Sequence, residues 1–447
     1  MTTSALHRLV ARAGLDEQVL STLLFRGWST IAGALSLVLA PLWLSPVEQG
    51  YYYTFGSVLA LQIFFELGLN QIIMQLASHE AAHLELKPNG KFVGDAVNVG
   101  RLGSLARMLG HWYSFAAVLF AILGGGAGAL FFSHKGSLPA SSWLGAWAML
   151  VSCTALNLWF SPKLAMLEGC GRIGEIARLR LKQSMSGYVV LWTLLACGAG
   201  LWAAISIPLA AAVCTGFWLR SNGSVLAWLH AHVSLTPDRL SWKTDVLPLQ
   251  WRVALSWVSG YFIFNLFTPL VFSRYGAVEA GRLGMALTIY AAASAIGMSW
   301  VNAKAPTFTA MIARGQRAEL NALFRNVALR STVFTALICA GVVVLAWALT
   351  WAGVPLMRRI ASPAVLAVLG LVTSINGIVF SMATYMRAHR EEPMLMQSLG
   401  TAVLTSLVAW GGSRLGVLPM MTLYSCVVFF VSFPWATAIF LRYYRRT

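Results

Sequence analysis

The stretch that decides the fold class runs from Val47 to His83 and reads VEQGYYYTFGSVLALQIFFELGLNQIIMQLASHEAAH. It contains about 25 mostly apolar residues in succession, enough for a helix to cross a bilayer. Within that run, Gln62, Glu66 and Asn70 recur at every fourth position, so they share one stripe of the helix. Because an ionised carboxylate in hydrocarbon costs about 3 kcal/mol or more, the stripe predicts a polar cavity beside a membrane helix.

The composition is that of a membrane protein. Of the 447 residues, 58% are hydrophobic and 11% are charged, whereas about a quarter of the residues of a soluble domain are charged. The 32 Lys and Arg residues outnumber the 15 Asp and Glu residues. In a membrane protein, this surplus is explained first by the bias of basic residues toward the cytoplasmic side, so we expect no nucleic-acid partner.

The pattern of apolar runs predicts an all-α polytopic membrane protein with about 12 transmembrane helices. The predicted spans are 27–45, 51–75, 110–133, 141–166, 181–203, 205–219, 252–272, 283–304, 331–351, 361–385, 394–411 and 418–440. The fifth and sixth spans are joined so closely that they form one helical hairpin.

The distribution of basic residues predicts the orientation. With the N-terminus inside, 26 of the 32 Lys and Arg residues fall on inner segments. The other six lie on outer segments and are Lys135, Arg274, Arg282, Arg358, Arg359 and Arg414. This asymmetry places both termini in the cytoplasm. Residues 1–25 have an amphipathic pattern, which predicts a helix on the inner membrane surface rather than a cleavable signal peptide.

The two halves of the chain resemble one another. VEQG at 47–50 opens the second span, and VEAG at 278–281 opens the eighth. Six spans per half is an even number, so both halves insert the same way up, as in transporters whose substrate site lies between parallel repeats. The predicted parts are an interfacial helix, a six-helix N-terminal lobe and a six-helix C-terminal lobe around a central cleft, at 1–25, 26–232 and 233–447.

The candidate substrate-binding residues are polar side chains of the spans that would line this cleft, together with cations near the span ends. They are Arg26, Gln62, Glu66, Asn70, Lys163, Arg252, Tyr261, Asn265, Asn302 and Lys304. Glu66 is the only acidic residue deep in any span. The alternative is structural, with polar groups bonding between helices and the cations extending to the membrane interface as topology determinants.

Two short motifs match catalytic patterns without the context that those patterns need. HEAAH at 79–83 fits a zinc-binding pattern, but no third ligand follows at the required spacing and the motif lies where the second span leaves the membrane. GCGRIG at 169–174 fits a phosphate-binding pattern, but it follows a membrane helix rather than a strand, so a tight hairpin turn is predicted. We therefore expect no catalytic residue, no metal and no cofactor.

The stretch PVEQGYYYTFGSVLALQIFFELGL with its continuation QLASHE, together with LEGCGR at 167–172 and YMRAHREEP at 385–393, resembles the oligosaccharide flippases. These are the O-antigen and polysaccharide transporters of the multidrug/oligosaccharidyl-lipid/polysaccharide exporter superfamily. The resemblance implies a V-shaped pair of six-helix bundles. It further implies transfer of an undecaprenyl-diphosphate-linked glycan across the bacterial inner membrane by alternating access, for lipopolysaccharide assembly with polymerase or ligase machinery.

Two other functions remain open from the sequence. An exporter of drugs or small metabolites from the same superfamily would couple transport to H⁺ or Na⁺, and Glu66 is the candidate coupling carboxylate. A membrane glycosyltransferase or polymerase would need an acidic catalytic residue near the outer face, where only Glu48 and Glu279 stand, both in short turns. The flippase needs no chemistry on its substrate, so we expect a transporter rather than an enzyme.

Overall fold

A computed structural model describes residues 17–87, 91–231, 240–389 and 393–446. The helices are α1 Glu17–Trp43, α2 Pro46–Leu59, α3 Ile63–Glu66, α4 Leu69–Ala81, α5 Ala96–Leu119, α6 Gly125–Lys135, α7 Ala140–Gly169, α8 Ile173–Ala196, α9 Ser206–Asn222, α10 Ser224–Ala231, α11 Leu247–Phe264, α12 Phe267–Ala313, α13 Arg317–Trp351, α14 Pro363–Ala388, α15 Leu395–Gly412, α16 Val417–Val427 and α17 Phe433–Arg446. One short antiparallel hairpin pairs β1 Leu84–Leu86 with β2 Phe92–Gly94. The predicted interfacial helix falls largely outside the described residues, which begin at Glu17.

The predicted all-α polytopic class is confirmed, and helical segments lie within each of the twelve predicted spans, although some spans are interrupted. Within the described ranges, eight helical stretches are long and apolar enough to cross a membrane, or nine if the broken pair Pro46–Glu66 and Leu69–Ala81 counts as one span. One of the eight, Gln250–Ala313, contains both the seventh and the eighth predicted spans. The fifth and eleventh predicted spans, on α8 and α15, are not among these stretches.

Helix α12 is too long for a single crossing. At about 1.5 Å per residue its 47 residues would extend for roughly 70 Å, more than twice the hydrocarbon thickness. The helix is interrupted at Gly276, whose φ of 82° and ψ of 178° are not helical. Glycine is needed there because other residues rarely adopt a positive φ. The interruption separates the end of the seventh predicted span from the start of the eighth.

By their internal packing, the described residues form two compact units. The first unit lies within Met1–Ser36, Leu61–His134 and Leu138–Ala254, and the second within Leu37–Ala60, Lys135–Ser137 and Leu255–Thr447. This grouping places α2 in the second unit, whereas the sequence placed it in the N-terminal lobe. The lobe boundary predicted at 232/233 falls outside the described residues, and the lobes stay a prediction.

The first unit is built around close helix contacts at small residues. A Cβ on Gly128 of α6 would overlap the indole of Trp147 on α7, and the Trp147 Nε1 donates a hydrogen bond of 2.9 Å to the carbonyl of Gly125. Gly125 and Gly128 in the third span therefore serve helix packing. The turn between α7 and α8 contains Gly171 with φ 91°, which confirms the hairpin turn predicted for the GCGRIG motif.

The second unit contains the crossing of the two repeated motifs. A Cβ on Gly50, from VEQG, would overlap the carbonyl oxygen of Ala277, and a Cβ on Gly281, from VEAG, would lie 2.8 Å from the Gly50 nitrogen. The buried Gln49 donates from Nε2 to the Arg359 carbonyl at 2.8 Å. Helices α2 and α12 thus approach through the equivalent glycine of each repeat. This contact is why α2 groups with the second unit.

Candidate functional site

In the first unit, Glu66 belongs to a small, partly buried hydrogen-bonded cluster. Asn70 donates from Nδ2 to the Glu66 Oε1 at 2.6 Å, and Tyr113 of α5 donates its hydroxyl to the Asn70 Oδ1 at 3.3 Å. The Tyr113 side chain is fully buried. Gln62 lies one turn before Glu66, at the end of the 3₁₀ turn Ala60–Gln62. The structure therefore brings Glu66 and Asn70 together, as their spacing predicted, and adds Tyr113 from another helix.

The helix that carries this cluster is broken immediately after Glu66. Leu67 has φ 52° and Gly68 has φ 67°, and Leu67 is the one non-glycine residue with positive φ in the described ranges. The predicted span 51–75 is therefore wrong as a continuous helix. A leucine in the left-handed region costs about 1–2 kcal/mol, and such strain often marks functional sites. A break also frees backbone carbonyls beside the carboxylate, as in transporters whose discontinuous helices form the binding site.

The predicted cations of the first unit have separate environments. Lys163 lies within α7, and its Nζ is 3.0 Å from the centroid of the Trp159 ring. Trp159 in turn donates from Nε1 to the Ser114 Oγ at 2.9 Å, which fixes the ring. Arg26 and Arg252 are exposed, and the Arg252 guanidinium lies 5.2 Å from the ring of Trp251 in its own helix. No ion pair joins any of the three to Glu66 in the described part of the chain.

The second unit contains an open cavity of about 590 Å³. Its polar lining side chains are Tyr53, Ser57, Asn265, Thr268, Thr288, Tyr290, Ser294, Thr373, Asn376 and Tyr424. The remaining lining residues are apolar, and no charged side chain of the described residues lines the cavity. The hydroxyls of Thr288 and Thr373 donate to the carbonyls of Gly284 and Leu369 at 2.8 Å, which leaves their oxygens as acceptors. The cavity thus offers neutral hydroxyl, amide and aromatic groups.

Of the predicted residues in this unit, Asn265 lines the cavity and three others do not. Asn265 lies in the gap between α11 and α12, so a second broken helix contributes to a polar site. Tyr261 is buried and meets the ring of Phe262 edge to face, with centroids 5.6 Å apart. Asn302 and Lys304 are exposed on α12. Of the four predicted residues of this unit, the tertiary structure therefore brings only Asn265 into the cavity.

Sequence reasoning missed several residues that build these sites. Tyr113 has no helical spacing to Glu66, because it lies 47 positions later in the chain. Thr373 and Asn376 lie in the tenth predicted span, and Tyr424 lies in the twelfth. Thr373 and Asn376 could have been found from the polar cluster TSIN at 373–376, which stands inside an apolar helix.

Glu80 of the HEAAH motif forms an ion pair with Arg101. The buried Glu80 accepts from the Arg101 Nε at 3.1 Å, and the rings of His79 and His83 have centroids 6.3 Å apart. Across the described residues, no group of three His, Cys, Asp or Glu side chains could hold a metal ion. Glu80 therefore joins α4 to α5.

Comparison of the fold with solved structures finds membrane transporters over nearly the full chain. The inward closed conformation of the lipid II flippase MurJ matches with a TM-score of 0.63 and 12% identity, covering 94% of this chain and 89% of that one. An inward-facing multidrug resistance MATE family transporter of the MOP superfamily matches with a TM-score of 0.58 and 13% identity, over 94% and 99%. A mutant form of the Vibrio cholerae MATE transporter VcmN has a TM-score of 0.56 and 13% identity, over 96% and 98%.

The chain has the fold of the MOP superfamily transporters. No protein-family model matches the sequence, and no curated protein matches it. At 12–13% identity the likeness shows the fold alone. The similar structures include one flippase for a lipid-linked substrate and several multidrug transporters, so the fold is compatible with both of the transport functions that the sequence left open.

Proposed function

We propose that this protein is a flippase that moves a polyprenyl-diphosphate-linked oligosaccharide from the inner to the outer leaflet of the bacterial cytoplasmic membrane by alternating access. The observation that carries the proposal is the charge-free cavity of about 590 Å³ in the second unit. Its volume lies within the range that is typical of small-molecule binding sites. Its hydroxyl and amide groups can exchange hydrogen bonds with sugar hydroxyls, which would otherwise lose water without replacement.

The aromatic lining supports a glycan as the ligand. Tyr53, Tyr290 and Tyr424 line the cavity, and the Tyr290 hydroxyl donates to the Leu366 carbonyl at 2.6 Å. Such side chains combine an apolar face, which can pack on a sugar ring, with a polar tip that can hydrogen-bond. A lipophilic cation would instead favour a carboxylate in the cavity, and the described lining contains none.

The diphosphate of the substrate would need basic side chains, and the described lining of the cavity contains none. Lys163, Arg26, Arg252 and Lys304 are the candidates, since phosphate oxygens accept charge-assisted hydrogen bonds from ammonium and guanidinium groups. Each of the variants Arg26→Ala and Lys304→Ala is expected to weaken binding of the diphosphate headgroup. Near-normal binding in both would remove these two residues from the site.

The transfer requires no bond in the substrate to be made or broken, so the proposed role is that of a transporter and not of an enzyme. The proposed setting is the inner membrane with both termini cytoplasmic. The glycan would supply O-antigen or another surface polysaccharide, and polymerase or ligase machinery would receive it on the outer leaflet.

A second function is favoured by one observation, the carboxylate of Glu66 at a helix break in the first unit. A carboxylate that is partly buried and hydrogen-bonded to a neutral amide is suited to exchanging a proton or binding Na⁺ during a transport cycle. This arrangement favours an ion-coupled exporter of drugs or small metabolites. Ion coupling is also compatible with a flippase, so the substrate distinguishes the two.

The test is made in the source bacterium with the gene deleted. A flippase predicts that lipid-linked oligosaccharide accumulates on the inner leaflet and that surface polysaccharide is lost, and that the wild-type gene restores both. Unchanged surface polysaccharide together with increased sensitivity to cationic drugs would instead identify the exporter.

Cavity variants connect that phenotype to the proposed site. Asn376→Leu and Asn265→Leu each replace a lining amide by an apolar side chain of similar size and are expected to reduce complementation at least about tenfold. Asn326→Leu is the matched control, because Asn326 is exposed on α13 and does not line the cavity. Equal complementation by all three variants would argue against the cavity as the glycan site.

A further inference from the structure

Three of the few basic residues predicted to lie on the outer face converge on one pocket. Lys135, Arg274 and Arg414 line a pocket of about 610 Å³ in the second unit. They come from the C-terminal end of α6, the turn before the break at Gly276, and the segment after α15. Residues so far apart in sequence meet only because the fold brings three helix ends together. We propose that this pocket binds the phosphate group of a membrane lipid.

The charge of the pocket is uncompensated. No carboxylate lines it, and none of the three cations takes part in an ion pair among the described residues. The neighbouring group of outer basic residues is different, because there Arg282 pairs with Glu279 and both line one pocket with Arg358. Three cations held together repel one another, so a bound anion would lower their electrostatic energy.

The donors suit phosphate. A lysine ammonium supplies three N–H donors and each guanidinium supplies five, in a planar fork that matches phosphate oxygens. Arg414 is positioned by its ring contact, with the guanidinium carbon 4.3 Å from the centroid of the Trp410 ring. A guanidinium that already packs on an aromatic face loses less conformational freedom when it binds.

From its aromatic residues, we infer that the pocket lies at the depth of lipid headgroups. Trp410 and Tyr275 both line it and are 55% and 38% exposed. The Tyr275 hydroxyl donates to the Ser413 carbonyl at 2.7 Å, which fixes the wall beside Arg414. Partly exposed Trp and Tyr side chains are typical of the membrane interface, where lipid phosphates lie. Leu270 supplies an apolar edge along which an acyl or prenyl chain could continue.

Two lipids could supply the phosphate, namely an anionic phospholipid of the outer leaflet or a lipid diphosphate such as the proposed substrate. The purified full-length protein in neutral detergent is titrated with phosphatidylglycerol, and bound lipids are counted by native mass spectrometry. Inorganic pyrophosphate is titrated separately by calorimetry. The variants are the triple Lys135→Gln/Arg274→Gln/Arg414→Gln and the charge-matched control Arg314→Gln/Arg325→Gln/Arg330→Gln, whose residues are exposed and lie outside the pocket.

The wild type and the control are expected to bind phosphatidylglycerol with similar affinity, and the pocket triple is expected to bind it at least about tenfold more weakly. The same pattern with pyrophosphate alone would identify the diphosphate as the source. Equal binding of both probes by the pocket triple and the wild type would overturn the proposal.

A purely structural role is separated by a conservative variant. Cations near helix C-termini also stabilise the helix dipole, so the glutamine triple could lower the melting temperature. Lys135→Arg/Arg274→Lys/Arg414→Lys keeps the three charges and is expected to bind lipid more tightly than the glutamine triple, although the loss of the guanidinium forks weakens it relative to wild type. If the glutamine triple does not fold, Arg274→Gln against Arg274→Lys makes the same comparison, and equal lipid affinity of that pair would overturn the proposal. Neither result depends on the proposed transport function.

Discussion

Glu66 is the candidate ion-coupling residue for the exporter and for a flippase that is driven by an ion. Glu66→Gln keeps the side-chain shape and an oxygen that can accept from Asn70, but it removes the charge and the exchangeable proton. We expect the variant to fold with a melting temperature within a few degrees of wild type and to lose transport at least about tenfold, because a neutral amide cannot couple to an ion. Complementation and thermal unfolding measure the two effects.

The matched control for that substitution is Glu85→Gln, since Glu85 is exposed on β1 away from the cluster. It is expected to transport normally. Wild-type transport by Glu66→Gln would indicate that Glu66 serves helix packing and not transport.

A substitution at Leu67 tests whether the backbone at the break after Glu66 is strained. A β-branched side chain tolerates the left-handed region less well than leucine does, so Leu67→Ile should destabilise the protein by about 1 kcal/mol or more. Leu69→Ile is the control, because Leu69 is fully buried in regular helix and the swap keeps its volume. The measurement is the melting temperature of both variants. Equal shifts would mean that the positive φ at Leu67 carries no extra cost.

At the scale of elements, the crossing of α2 and α12 depends on glycine. Gly50→Ala would drive a methyl group into the Ala277 carbonyl, so the helices must separate, and we expect a loss of about 2 kcal/mol in stability. Gly56→Ala lies on the same helix with no atom near the added methyl, so it should be neutral or slightly stabilising. The measurement is the stability of both variants by thermal unfolding. A Gly50→Ala variant as stable as Gly56→Ala would contradict a tight crossing of α2 and α12.

The broken elements carry the polar sites of both units. In the first unit the break at Leu67 and Gly68 follows Glu66, and in the second the break between α11 and α12 contains Asn265. A continuous helix satisfies its own backbone groups, whereas a break leaves some of them available to a ligand. Because a helix break lies beside a polar site in both units, we expect conformational change to occur at these two breaks.

At the scale of the whole molecule, the predicted sidedness agrees with how the segments group within each unit. The predicted outer residues Lys135, Arg274 and Arg414 share a pocket, whereas Arg317 and His389, from two predicted inner turns, share another. In the first unit, the inner-turn residue Arg172 donates to the Asn222 carbonyl at 3.3 Å. Segments assigned to one side of the membrane therefore meet one another.

The absolute orientation can be measured by cysteine labelling in intact cells. In a cysteine-free background, Ser137→Cys is expected to react with a membrane-impermeant maleimide, because residue 137 lies on a predicted outer turn and is exposed. Gln316→Cys, exposed on a predicted inner turn, is the matched control and should react only after the cells are opened. The reverse pattern would place the termini outside.

The sequence by itself determined what depends on local composition and spacing. The apolar runs predicted the class of the fold and where the main helical segments lie, and the spacing of four residues predicted the contact of Glu66 with Asn70. These features follow from hydrophobicity and helix geometry, which each segment carries by itself. The break at Leu67 escaped prediction, because a leucine adopts a positive φ only when the surrounding structure holds it there.

Only the tertiary structure decided which distant residues share a site. It brought Tyr113 to Asn70, formed the neutral cavity from five separate helices, and left Asn302 and Lys304 exposed beyond that cavity. It also collected Lys135, Arg274 and Arg414 from three helix ends. Helical spacing cannot report such neighbours, because their proximity depends on how glycine contacts and helix breaks set the packing of one helix on another.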